Sequence, residues 1–139
     1  MKNIIITDLD GSLLSHSTFS FKQIHSDILS LLDSGTLIIP ASSKTKVEME
    51  MFCAELGRNV PFIFENGAGF HNIQEITSEK SSKPFNLSPA AINSEKIWKI
   101  WCESVTEELK NQCLFLHEMN VKQQADVFGF TGQKLENAL

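Results

Sequence analysis

Asn3-Ile4-Ile5-Ile6-Thr7-Asp8-Leu9-Asp10-Gly11-Ser12-Leu13-Leu14 runs a block of β-branched residues straight into two carboxylates and a glycine. Three consecutive isoleucines are stiff at χ1 and apolar on both faces. Such a run suits a strand buried on both sides, as in a parallel sheet covered by helices. In open α/β sheets the chemistry sits just past the carboxyl ends of the strands, where Asp8 and Asp10 fall. If Asp8 ends the strand, Leu9 points away and Asp10 returns to the side of Asp8. Gly11 lets the backbone turn without crowding them. Two ionised acids this close repel, so they suit a hard cation between them or a division of roles. The plainer alternative is a strand end with two solvated acids.

Outward from this stretch, the apolar positions change period. Ile24, Ile28, Leu31 and Leu32 fall on one helical face, predicting a helix over 21–34 with Ser20 capping its start and Gly35 its end. Thr36-Leu37-Ile38-Ile39-Pro40-Ala41 reads as a second strand, with Pro40 where the ladder stops. Thr45 and Glu48 make a capping box for a helix with Val47, Met51, Phe52 and Leu56 inward, closed by Gly57. Val60-Pro61-Phe62-Ile63-Phe64 reads as a third strand running into the turn signal Asn66-Gly67. The order β-α-β-α-β predicts a parallel sheet with right-handed crossovers.

The polar run Ser78-Glu79-Lys80-Ser81-Ser82-Lys83-Pro84 reads as a linker. Beyond it, Ser94 caps a helix over about 95–110, with Trp98, Trp101, Cys102, Val105 and Leu109 as its apolar stripe. The tryptophans suit either ligand stacking or a small core, and their helical spacing favours the core. Cys113-Leu114-Phe115-Leu116 reads as a strand. Asn120 and Gln123 open a helix with Val121, Ala125 and Phe128 inward, broken at Thr131-Gly132, and another begins near Lys134.

At 139 residues and 42% hydrophobic, the chain has the length of one ordinary domain. The net charge of −5 is spread evenly, −3 through residue 72 and −2 after it. No basic patch points to nucleic acid or an anionic membrane surface. No apolar run approaches a membrane span, and the N-terminus does not read as a signal peptide. Cys53, Cys102 and Cys113 are odd in number and lack metal-ligand spacing, which suits small buried hydrophobes in a reducing compartment. A cytoplasmic protein is expected. His16, His25, His71 and His117 show no metal-ligand spacing either.

Ser42 ends the second strand as Asp8 ends the first, so adjacent parallel strands set it beside the acids. Thr45 already supplies the helix cap, which leaves Ser42 for other work. Ser43 is the weaker candidate, and Lys44 can neutralise phosphate charge as a point charge. The alternative for Ser42-Ser43-Lys44-Thr45 is a helix start alone. Glu65-Asn66-Gly67-Ala68 ends the third strand on the same edge.

Asp8-Leu9-Asp10-Gly11-Ser12 after an apolar strand closely resembles the first motif of the haloacid dehalogenase (HAD) superfamily, mostly Mg²⁺-dependent phosphatases. The resemblance implies that Asp8 is the nucleophile, forming an aspartyl-phosphate, and Asp10 the general acid and then base. Ser42 matches the second motif, a hydroxyl that hydrogen-bonds the transferring phosphoryl group. These motifs followed by Pro61-Phe62-Ile63-Phe64-Glu65-Asn66-Gly67-Ala68 look like the mannosyl-3-phosphoglycerate phosphatase family. Met119-Asn120-Val121-Lys122-Gln123-Gln124-Ala125-Asp126 and Thr131-Gly132 are similar to a cap segment of that family. The fold so implied is α/β: a partial HAD-type, Rossmann-like sheet followed by part of an α/β cap. Residues 1–72 are the N-terminal part of the core, 73–84 a linker and 85–139 the partial cap.

The resemblance implies a Mg²⁺-dependent hydrolase acting on a small phosphate ester, a phosphorylated sugar or glycerate. Asp8 and Asp10 would touch the metal, while Ser42, Ser43, Lys44, Asn66 and Gly67 would meet the phosphate or substrate. Two later family elements are absent from this sequence: a lysine that pairs with the nucleophile, and a Gly-Asp-x-x-Asn-Asp segment that completes the metal site. The chain therefore looks like the first half of such a phosphatase, with weak hydrolysis expected. The competing readings are an inactive remnant, a phosphate-binding or assembly module, and one half of a split enzyme. A homodimer or a complementary C-terminal fragment is expected to cover the strand at Ile4–Ile6.

Overall fold

The computed structural model describes residues 3–73 and 85–139. The polar run at Ser78–Pro84 lies outside them. Two compact units divide between Ala91 and Ile92. The first holds a five-stranded sheet: β1 (Ile4–Asp8), β2 (Leu37–Ala41), β3 (Phe62–Phe64), β4 (Gly69–His71) and β5 (Phe85–Leu87), in that spatial order. β1, β2 and β3 run parallel; β4 and β5 are antiparallel additions. α1 (His25–Asp33) and α2 (Lys46–Leu56) make the two crossovers, so the β-α-β-α-β order holds through Phe64. The strand at 85–87, which composition grouped with the later residues 85–139, pairs with β4 in the first unit.

The core joins Leu9, Leu14, Phe21, Ile28, Ile38, Phe62 and Phe64 to one stripe of α2. That stripe is Met49, Phe52, Cys53 and Leu56, spaced i, i+3, i+4, i+7. Val47 and Met51, expected inward, fall on the opposite side of the helix and are exposed. Thr45 forms the expected capping box with Glu48, and Gly57 ends the helix. α1 starts later than predicted. Ser20 accepts from the Lys22 amide, and Ile24 rather than Ser20 precedes the first helical residue.

β1 departs most from its sequence reading. Ile4, Ile5 and Ile6 are exposed at 52%, 38% and 65%, whereas Ile38 and Ile39 of β2 are buried. The reason is position: among the described residues β1 lies at the margin of the sheet, with β2 on one side only. Burial on both faces belongs to strands with neighbours on both sides, and here β2 takes that place.

β4 was not legible as a strand. Its register requires Gly69, because a Cβ there would sit 2.2 Å from the Phe64 ring.

The second unit contains α3 (Ser94–Ser104), α4 (Glu107–Lys110), α5 (Val121–Phe128) and α6 (Gln133–Ala138). Asn93, not Ser94, caps α3 by accepting from the Lys96 amide. The helix expected over 95–110 breaks at Val105, and Thr106 caps α4. The Asn120–Gln123 capping box opens α5, and Gly129 closes it before Thr131. Cys113–Leu116, expected as a strand, forms instead a connection ending in a short 3₁₀ turn at Leu116–Glu118. Trp98 and Trp101 stack on each other at 5.3 Å, and Phe115 packs edge-on against both. They border an apolar cleft of about 560 Å³. Among the described residues of this unit, Leu135 alone is buried.

Candidate active site

The ends of β1, β2 and β3 meet at one cavity of about 480 Å³, lined by Asp8, Asp10, Ala41, Ser42, Ser43, Ile63, Asn66 and Gly67. Each strand delivers its residues by the same local logic. β1 ends at Asp8, Leu9 turns fully into the core, and Asp10 comes back to the cavity. The turn is closed by Gly11 N–H donating to Leu14 O (2.9 Å) and Leu14 N–H to Leu9 O (2.7 Å). Gly11 has φ +76°, and the His16 ring lies where its Cβ would stand. This turn therefore needs glycine twice, for its backbone and for its space.

Ser42 follows β2 directly and is buried. Its hydroxyl accepts from the Lys44 amide at 3.2 Å, which leaves the hydroxyl proton to donate. β3 and the loop after it are bonded to the loop after β2 through main-chain atoms. Ser42 N–H donates to Ile63 O (3.1 Å), Asn66 N–H to Ser42 O (3.0 Å) and Glu65 N–H to Lys44 O (2.9 Å). Glu65 and Asn66 reach these positions with φ of 49° and 54°. Asparagine tolerates that region and glutamate seldom adopts it, so the neighbouring loop is what holds Glu65 there. The sequence shows Asn66-Gly67 as a turn but gives no sign that Glu65 joins it.

Lys44 has a partner that the sequence did not show. Its Nζ donates to Asp10 Oδ2 at 2.9 Å rather than standing free for an incoming anion. The other carboxylate oxygen, Oδ1, is buried and has no hydrogen-bond partner among the described residues. A buried, unpartnered carboxylate oxygen calls for a proton or a cation. With the Asp8 carboxylate in the same cavity, the donors are hard oxygens of the kind that suit a small divalent ion. Two carboxylates are within what such an ion needs when phosphate and water supply the rest. No third acid, histidine or cysteine joins them in a metal-binding group among the described residues.

His16 packs at the Gly11 turn, and the other three histidines stand elsewhere. His25 Nε2 lies 3.2 Å from Leu56 O, tying α1 to the end of α2. His71 stacks on Phe62 at 4.7 Å, and burial holds its imidazole below the usual histidine pKa. His117 packs edge-on to Trp98. Of the cysteines, Cys53 is buried as expected, with its thiol pKa raised by burial, while Cys113 is exposed. No helix among the described residues is long and apolar enough to cross a membrane.

The haloacid dehalogenase-like hydrolase profile matches residues 5–86, which include β2, β3 and β4, all of β1 but Ile4, all of β5 but Leu87, and every residue lining the cavity. This chain belongs to the haloacid dehalogenase-like hydrolases. Two relatives of this family member carry the name glucosyl-3-phosphoglycerate/mannosyl-3-phosphoglycerate phosphatase. The one from Persephonella marina is 45% identical over 65 residues, 47% of this chain and 24% of its own length. The one from Methanococcoides burtonii is 42% identical over 67 residues, 48% of this chain and 25% of its own length. The HAD-like chain thus spans about a quarter of each relative it matches. The similarity read at Met119–Gly132 falls beyond the profile's residues. Two solved structures share the fold. A protein of Geobacillus kaustophilus HTA426 has a TM-score of 0.51 at 18% identity, covering 75% of this chain and 36% of that one. A haloacid dehalogenase-like hydrolase of B. subtilis has a TM-score of 0.51 at 21% identity, covering 75% and 34%.

Proposed function

We propose that the cavity at the ends of β1–β3 is a phosphomonoesterase site for a phosphorylated sugar or glycerate of the mannosyl-3-phosphoglycerate type. The observation that carries this reading is the meeting of two carboxylates, a buried hydroxyl and the Asn66–Gly67 turn in one cavity. The phosphatase-named relatives support the substrate class.

In the first step, an Asp8 carboxylate oxygen forms a bond to phosphorus and the bond from phosphorus to the ester oxygen breaks. Asp10 gives its proton to the departing alkoxide. In the second, water attacks the aspartyl-phosphate and its proton returns to Asp10, releasing inorganic phosphate and free Asp8. Asp10 Oδ1, which no protein group occupies, is the oxygen that would carry this proton, while Lys44 fixes the carboxylate through Oδ2. The Ser42 hydroxyl and the Asn66–Gly67 turn would border the phosphoryl group, with Ser43 on the substrate side of the cavity and Lys44 beside it through its bond to Asp10. The Asp8 carboxylate and the Asp10 main-chain carbonyl would hold Mg²⁺, which supplies charge neutralisation at the phosphate oxygens when bound. The unpaired thiols of Cys53, Cys102 and Cys113 are in keeping with a cytoplasmic location.

Phosphate release from mannosyl-3-phosphoglycerate with saturating Mg²⁺, measured for the chain and for Asp8→Asn, tests the proposal. Slow release that disappears in the variant is expected, with a phosphoryl adduct on Asp8 in acid-quenched samples. Equal rates in the two proteins would remove Asp8 from the nucleophile's role.

A further inference from the structure

We propose that His71 is a proton-operated latch on the β3–β4 hairpin: neutral, it holds the Glu65–Gly67 turn against the loop after β2, and protonated, it lets that turn come away from the cavity. The consequence for phosphate release rests on the phosphatase reading; the coupling of His71 to the turn does not.

The hairpin is short. Phe62 pairs with His71, Ile63 with Phe70 and Phe64 with Gly69, and the turn beyond the last pair carries Asn66 and Gly67 to the cavity. Toward the rest of the sheet, β3 meets β2 at Ala41 and Ile63. The base of the hairpin is closed by two rings. The His71 imidazole lies on Phe62 at 4.7 Å and 16° from parallel, and Phe62 is fully buried. Nδ1 of that imidazole is buried and has no hydrogen-bond partner among the described residues. A neutral ring can leave Nδ1 without a hydrogen, as a bare acceptor. Protonation puts an N–H and part of a full charge there, where neither an acceptor nor water meets it. With the hairpin open the same charge is hydrated, so the proton favours the open form.

The surrounding charges do not remove this preference. Glu50 and Lys46 of α2 act on His71 in opposite senses, and they pair with each other. β3, β4 and β5 bring no other titratable side chain. Burial is the largest influence and holds the imidazole below its ordinary value of 6.5. Opening of the hairpin therefore grows as pH falls below that value.

Amide hydrogen exchange on the whole chain, resolved by residue and corrected for intrinsic rates, is the test. The Glu65 and Asn66 amides report the turn, because they donate to Lys44 O and Ser42 O. The Ile28 amide, which donates to Ile24 O in α1, reports opening of the whole unit. Glu65 and Asn66 should be less protected than Ile28, the mark of a local opening. Their protection should fall at least about threefold between about pH 7.5 and 5.5, in step with the titration of the His71 ring protons. His71→Phe keeps a ring on Phe62 and should abolish the fall. Protection at Glu65 and Asn66 that is level with pH, or equal to that of Ile28, overturns the latch. So does a fall that survives in His71→Phe. Exchange on the unsubstituted chain decides the matter even if that variant fails to fold.

Discussion

Lys44 Nζ donates to Asp10 Oδ2 at 2.9 Å, bridging the loops after β2 and β1. The contact gives Asp10 a fixed orientation and uses one of its two oxygens. Lys44 thereby acts through Asp10 as a positioning residue, in addition to any later contact with phosphate.

Replacing Lys44 with Met leaves both Asp10 oxygens without a protein partner. Phosphate release should fall by roughly 10²–10³-fold, the usual consequence of losing a charged group beside a reacting centre. Lys46→Met is the control. It removes a solvent-facing pair with Glu50, and its effect on stability should stay within about 1 kcal/mol. Steady-state phosphate release and urea denaturation on both variants separate the two outcomes.

Ser42→Ala removes the acceptor for the Lys44 amide and the hydroxyl at the cavity floor. Stability should fall by about 1 kcal/mol and phosphate release by roughly 10²-fold. Ser43→Ala should change release far less, because the Ser43 side chain has no corresponding bond to the loop among the described contacts.

Gly69→Ala drives a methyl group into the Phe64 ring, and the ring is too well buried to swing aside. A loss of about 1–3 kcal/mol is expected, the range for overpacking. Guanidinium unfolding measures it. The double variant with Phe64→Leu should recover part of the loss, since it removes the ring atoms in contact.

His71 makes stability depend on pH. Its pKa in the folded chain is lowered, mainly by burial, so the unfolded chain binds the proton more readily. Stability therefore rises with pH across this titration. It is complete above the ordinary histidine value of 6.5 and declines as pH falls below it. His71→Phe keeps the stack on Phe62 and should flatten the fall in melting temperature between neutral and mildly acid pH.

Local signals in the sequence carried well into the structure. The Thr45–Glu48 and Asn120–Gln123 boxes involve residues three apart and need no distant partner. The strand ends at Asp8, Ala41 and Phe64 were legible because apolar runs stop abruptly there. Properties set by neighbours were not legible. Ile4–Ile6 reads the same whether its strand is central or marginal, since burial depends on what lies beside it. Gly69–His71 is too short to show alternation, and its pairing is set by the turn before it. Cys113–Leu116 has the apolar content of a strand but finds no ladder among the described residues. At the site, residue types pointed to Asp8, Asp10 and Ser42. The bond from Lys44 to Asp10 spans 34 positions, and only the folded chain brings it about.

The three bonds that tie the loop after β2 to β3 and the loop beyond it all run between main-chain atoms. Their geometry therefore does not depend on which side chains stand at 43 or 44, while position 65 needs a residue that can hold a φ of 49°. Mutation can rewrite those side chains while the frame that aims them persists. Selection for a different phosphate ester could begin at these positions without first rebuilding the site.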